Sequence, residues 1–187
     1  MQSDFLMHYG IKGMKWGVRR TPEQLGHKGE SHHNYANELS SRMKKVPYKD
    51  YTTLQSPKKT LKNGGSCHDQ TFAELKALRK LGYKPKAMFV VEMNGNGRGG
   101  MTHSFAYYKK NGKYYWFENA WKDRAGIHEF NSPKDIQKEF VRSHNEGTFG
   151  NKKKYGKLVF SGFHESRHKV GENLDEFVNI CLTGKRS

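Results

Sequence analysis

The chain has 187 residues, 34 of them Lys or Arg against 18 Asp or Glu, a formal net charge of +16; that length suits one domain with its own core rather than two. Hydrophobic residues make up 34% of it, against roughly 45–50% in average globular usage, so part of the chain is expected to stay outside the core. A surface this basic attracts nucleic acid, anionic cell-wall polymer or an acidic partner without naming which, and it serves equally as a solubilising surface.

Residues 1–46 carry Gly10, Gly13, Gly17, Gly26 and Gly29 among basic and His residues. With no sustained apolar period they read as an extended basic arm, in which only 34–45 has the pattern of a short helix. The arm lacks the apolar centre of a secretory signal, and no stretch of the chain approaches the roughly 18 apolar residues of a membrane span. The expectation is a protein without a membrane segment, made in a cytoplasm.

Residues 47–187 have the texture of a folded domain. In "SPKKTLKNGGSCHDQTFAELKALRKLGYKP", Ser56 caps one helix with Pro57 at its first position, and a glycine break precedes a second. There Phe72, Leu75, Leu78 and Leu81 recur every three residues beside Ala73 and Ala77, and Gly82 and Pro85 end the run. "KAMFVVEM" predicts a buried strand and "NGNGRGG" a mobile loop. No Lys-Ser/Thr follows those glycines to make a phosphate loop, so covering the site is the better reading.

"THSFAYYKKNGKYYWFENAW" predicts two aromatic strands joined at Asn111-Gly112, a strong hairpin signal. "SPKDIQKEFVRSHNEG" repeats the Ser-Pro helix start, with Ile136, Phe140 and Val141 on one face and Gly147 as stop. After Lys152–Lys154, "KLVFSGF" reads as a strand and "NLDEFVNICL" as a terminal helix. A helix feeding a mainly antiparallel sheet points to an α+β domain.

Two cysteines cannot build a disulfide framework, though one bridge between Cys67 and Cys181 stays open. Cys181 lies in the apolar pattern of the last helix. Cys67 sits where the glycines stop and a helix begins, where free N–H groups and the positive end of the helix dipole favour thiolate over thiol. Taken alone such a cysteine is most often a small buried hydrophobe. His103 opens a strand after the glycine loop and Glu118 closes its hairpin partner, so the fold about Asn111-Gly112 brings those two ends together. An acid beside an imidazole fixes its tautomer and stabilises its cation, and a nucleophilic Cys-His-acid set results. Asn119 competes with Glu118 for the third place. The Cys67 main-chain N–H, with Gln55 or Gln70 as side-chain donor, is the candidate oxyanion site.

"GGSCHDQTFAELKALRKLGY", "THSFAYY" and "YYWFENAW" together resemble the core of the transglutaminase-like superfamily of cysteine enzymes, over roughly residues 54–140. The resemblance implies a papain-like α+β fold in which an N-terminal catalytic helix packs on the sheet. Cys67 is then the nucleophile, His103 the base and Glu118 the orienting acid, and no cofactor is called for. Family members more often carry Asp at the third place and an aromatic where this chain has His68, which alters the expected substrate groove. The implied reaction is attack on an amide carbonyl to give a thioester resolved by water or an amine, as in a peptidase, a deamidase or a crosslinking enzyme.

"HESRH", residues 164–168, fits a zinc-protease helix motif with His164 and His168 as ligands and Glu165 as base, extending to Gly171. The third ligand expected falls on Leu174, leaving Glu172 and Glu176 as substitutes, and only Phe163 and Val170 flank the motif; metal is the lesser alternative there. His27, His32 and His33 lie in the arm, where nothing fixes a ligand geometry. "MHYGIKGMKWGVRR", residues 7–20, resembles a short peptide of head-associated and other structural proteins of phages and prophages. It implies phage origin and a docking tag for a phage structural protein, with the virion or host cytoplasm as location. The basic balance keeps two alternatives open: a non-catalytic virion or DNA-binding protein retaining the fold, and a peptidoglycan amide hydrolase.

Overall fold

A computed structural model describes residues 31–93, 99–146, 156–162 and 169–185. Among the described residues the fold is α+β: five α-helices and a five-stranded antiparallel sheet. Helix α1 (Ser31–Met43) leads to α2 (Pro57–Asn63) and α3 (Cys67–Lys80). Strands β1 (Lys86–Met93), β2 (Gly99–Lys110), β3 (Lys113–Glu118) and β4 (Gly126–Phe130) follow, then α4 (Pro133–Asn145), β5 (Lys157–Gly162) and α5 (Leu174–Thr183). The spatial order is β4-β3-β2-β1-β5.

Local chemistry accounts for most boundaries. Ser56 and Ser132 accept the N–H of Lys59 and Asp135 and are each followed by proline at the first helical position, where its missing N–H costs nothing. Gly82 takes a left-handed φ of 86° after α3 and lets Tyr83 N–H reach back to Leu78 O at 3.1 Å, closing the helix. Asn111 and Gly112, at φ 49° and 79°, form the tight turn joining β2 to β3, whose right-handed twist requires positive φ at both positions.

Alternation along the strands splits the core in two. On one face Phe89, Val91, Ala106, Tyr108 and Phe117 pack with Ala36, Met43, Leu75, Leu78 and Phe177 of α1, α3 and α5. On the other, Met88, Val90, Phe105 and Trp116 meet Trp121 and Ile136 and Phe140 of α4. Burying a side chain such as Phe89 or Phe140 stabilises the fold by about 1.5–3 kcal/mol.

Ala36, Ser40, Met43 and Val46 are buried, so α1 packs on the body of the domain. The structure departs from the sequence reading in three places. Gly99 and Gly100, expected in the loop, open β2. On α4 the buried face is Ile136, Phe140, Ser143 and His144, while Val141 is only partly buried. Strand β4, "GIHEF", is an addition whose side chains are mostly half-buried at the sheet edge, which weakens the apolar signal that marks a strand. Residues 1–30, the loop at 94–98, the Lys152–Lys154 run and the HESRH motif lie outside the described residues.

Candidate active site

The first turn of α3 is polar and almost wholly buried: Cys67, His68, Asp69, Gln70 and Thr71 are all inside. The helix start is closed by a reciprocal cap. Ser66 caps the helix, and Asp69 returns the bond by accepting Ser66 N–H at 3.1 Å, a reciprocal capping box. The other Asp69 oxygen accepts Gln55 N–H at 2.7 Å, tying the preceding segment to the helix start.

The glycine pair ahead of the cap is there for close approach. A Cβ on Gly65 would lie 2.6 Å from Asp69 Cβ, and one on Gly64, at φ +91°, 2.5 Å from Pro47 O. The absence of both side chains lets the segment 47–49 lie against the helix start. Gly65 N–H donates to Pro47 O at 3.1 Å and Lys49 N–H to Gly65 O at 3.2 Å, so Tyr48 and Gly65 pair as a short parallel bridge.

Pairing of β2 with β3 stops at Ala106 opposite Phe117, and the start of α3 meets the stretch of β2 beyond that point. Cys67 Sγ lies 3.9 Å from Thr102 O. The His68 ring is fixed at both nitrogens, Nδ1 to Ser104 Oγ at 2.9 Å and Nε2 to Thr102 Oγ1 at 3.2 Å. Its faces pack on Phe89 and Phe177, so His68 is part of the core.

His103 and Glu118, at the open end of the hairpin, are in direct contact: His103 Nε2 is 2.8 Å from Glu118 Oε2, with both side chains buried. The imidazole is stacked on Phe140 and edge-on to Trp121. The carboxylate is held by two further donors, the Trp116 indole N–H at 3.2 Å and the Trp121 main-chain N–H at 2.9 Å. With Nε2 committed to Glu118, Nδ1 is the nitrogen left for the Cys67 sulfur, with which His103 hydrogen-bonds.

These neighbours set the charge of the site. Burial opposes ionisation of Cys67, but the charge of His68 and the hydrogen bond and charge of His103 outweigh it and bring the thiol down to about 5. Burial likewise opposes the His103 cation, yet Glu118 and the Cys67 sulfur push it up to about 10. Between those values the resting pair is thiolate and imidazolium. Cys181 is the opposite case: packed in the core, its thiol is raised by burial to about 12.

The remaining candidates are engaged elsewhere. The Gln55 side-chain amide donates to Thr53 O at 2.6 Å and that of Gln70 to Gly65 O at 2.9 Å, so each holds part of the backbone ahead of α3. Asn119 donates to Glu74 Oε1 at 3.0 Å and accepts from Ser40 Oγ at 3.3 Å; Glu118, not Asn119, is the residue on His103. No group of three His, Cys, Asp or Glu able to hold a metal occurs among the described residues, and His164 and His168 lie outside them.

Two neighbours of the sulfur were not anticipated. One is His68, whose proximity was implicit in its place next to Cys67. The other neighbour is Tyr48, whose phenol is held well above its ordinary value by burial and by the charges of Cys67 and Asp50 beside it. Only the glycine pair hinted at it, since adjacent glycines before a helix mark a place where another backbone comes close.

An α+β domain with a buried, charge-separated cysteine–histidine pair and a carboxylate behind it is the class that fold and site define. Residues 2–23, a span containing the 7–20 peptide, match the model described as a family of unknown function (DUF7211). None of the curated proteins matches the chain. No helix among the described residues is long and apolar enough to cross a membrane.

Proposed function

We propose that the protein is a phage or prophage cysteine enzyme of transglutaminase-like, papain-like fold that attacks an amide carbonyl. The observation carrying this reading is the buried chain of contacts from Cys67 through His103 to Glu118. In the proposed cycle the Cys67 thiolate adds to the carbonyl carbon. The resulting tetrahedral species collapses as His103 delivers its proton to the departing amine, leaving a thioester on Cys67 and a neutral imidazole. His103 then takes a proton from water or an acceptor amine as that nucleophile adds, and the thiolate is expelled again. Water gives hydrolysis; an amine gives acyl transfer.

Glu118 keeps the imidazole oriented and stabilises its cation, while Trp116 and Trp121 keep the carboxylate from turning away. The amide belongs to a protein, a peptide or peptidoglycan, for which the basic surface is suited. The 7–20 peptide supports docking on a phage structural protein.

The test is mass spectrometry of the intact protein after exposure to candidate protein and peptidoglycan amides. An acyl adduct on Cys67, absent in Cys67→Ala, is expected. A Cys67 that reacts with iodoacetamide no faster than an unfolded thiol overturns the reading, and salt-sensitive DNA binding without any adduct would favour the non-catalytic alternative.

A further inference from the structure

His68 is buried beside the nucleophile, yet no step of the proposed cycle uses it. Its ring nitrogens reach two hydroxyls on β2, Nδ1 to Ser104 Oγ at 2.9 Å and Nε2 to Thr102 Oγ1 at 3.2 Å. Those two residues flank His103. Successive side chains of a strand point to opposite faces, so Thr102 and Ser104 face α3 while His103 faces α4, where its ring stacks on Phe140. His68 thus grips both neighbours of the base from the opposite side of the strand, and its own neighbour in the chain is Cys67.

The strand needs a hold at this point. The ladder between β2 and β3 ends at Ala106, so among the described residues 102–105 are paired on the β1 side alone, Thr102 with Val91, His103 with Val90 and Ser104 with Phe89. A strand paired along one edge can roll about its own axis, and such a roll would swing the His103 ring away from the sulfur. Fixing two side chains on one face, two residues apart, opposes it. Ser104 is held a second time: its Oγ donates to Thr71 Oγ1 at 3.1 Å, one turn along α3 from His68. The helix start also meets the strand at Thr102, whose carbonyl oxygen lies 3.9 Å from Cys67 Sγ. Phe89 and Phe177 pack against the His68 ring and keep its two nitrogens aimed at the hydroxyls.

Resting on the acyl-transfer reading, we propose that His68 is a positioning residue, which locks the helix start carrying Cys67 to the stretch of β2 carrying His103 and so sets the placement of nucleophile against base. It acts through the hydroxyls of Thr102 and Ser104. A misplacement of about 1 Å between reacting groups costs on the order of 10²-fold in rate, so bonds that fix this strand have an effect on reactivity beyond their own strength.

The test follows iodoacetamide alkylation of Cys67 against pH in two variants, with thermal melting to show that each is folded. His68→Phe keeps a ring against Phe89 and Phe177 but removes both nitrogens. Thr102→Val combined with Ser104→Ala removes the two hydroxyls and leaves His68, with any charge it carries, in place. In both, the acid limb of alkylation is expected to move up from about 5 by about one pH unit or more, a tenfold loss of thiolate at a given pH below the limb. A folded His68→Phe with an unmoved limb overturns the proposal and leaves His68 a packing residue. A limb that moves in His68→Phe but not in the hydroxyl variant overturns it too, assigning the effect to the charge of His68 alone. If His68→Phe does not fold, the hydroxyl variant, which alters only two oxygens, decides by itself. A wild type whose limb lies where that of an unfolded thiol does, near about 8.5, overturns the acyl-transfer reading, and so is told apart from failure of the His68 role.

Discussion

His103 and Glu118, fifteen positions apart, meet at 2.8 Å with both side chains buried, each less exposed than one part in ten. Glu118 accepts from three donors at once: the imidazole, the Trp116 indole and the Trp121 main chain. Glu118→Gln keeps the shape but removes the charge and sets its NH2 among donors. His103 then holds its proton less tightly, and Cys67, losing a full cation partner, ionises at higher pH. Acylation by p-nitrophenyl acetate at neutral pH should fall about 10²–10⁴-fold, and the acid limb of the iodoacetamide profile should move upward. An unmoved limb would remove Glu118 from the site's electrostatics.

The pH dependence of the two reactions should differ in form. Cys67 is a thiolate above about 5, so alkylation rises through that pH and then stays level. Acyl transfer from an amide, unlike that from p-nitrophenyl acetate with its good leaving group, also needs the imidazolium as acid. It should therefore rise near 5 and fall again as His103 loses its proton near 10, a bell rather than a step. Cys181, raised to about 12, should remain unlabelled in the native protein throughout the neutral range. Peptide mapping after labelling at pH 6 checks this directly.

Glu74 carries a different signature. It is buried in α3 next to Glu118, and burial followed by that neighbouring charge raises its carboxyl well above the usual value. The folded state thus binds this proton more tightly than the unfolded chain. The contribution is unpenalised below the unfolded value near 4.5 and increasingly destabilising as pH rises from there toward the folded value. Glu74→Gln keeps an oxygen for Asn119 and carries no charge. Its melting temperature should match or exceed wild type, with the advantage growing from pH 5 to pH 8.

Two glycines should respond to alanine for separate reasons. At Gly65 the new methyl meets Asp69 Cβ at 2.6 Å and Thr60 Cγ2 at 2.9 Å, a clash inside the capping box that should cost about 1–3 kcal/mol and slow acylation. At Gly112 nothing lies within 4 Å. There the cost is the positive φ of 79° alone, about 1–2 kcal/mol, with acylation by the folded fraction unchanged. Urea unfolding and the acylation assay together separate the two.

What could be read from the sequence was what depends on local pattern. Cap serines, the helical stripe of α3, the buried run of β1 and the Asn111-Gly112 turn are short-range signals, and the hairpin turn alone brings the strand ends that carry His103 and Glu118 together. Contacts set by tertiary packing were less legible. Gln55 and Gln70 look like free donors until the backbone carbonyls of Thr53 and Gly65 are in place. Tyr48 lies nineteen positions before Cys67 in a segment without periodicity, and its position depends on space left by two missing side chains. β4 lacks a strong apolar alternation because it is an edge strand.

The three-donor seat of Glu118 has a thermodynamic consequence. Dipoles that solvent would otherwise have to reorient at the moment of reaction are fixed in direction while the chain folds. The catalytic groups then weigh on the native state: a variant with Cys67, His103 and Glu118 replaced by well-packed apolar residues should outlast the wild type on heating while doing no chemistry. Heat tolerance and reactivity are opposed at that one seam of the sheet.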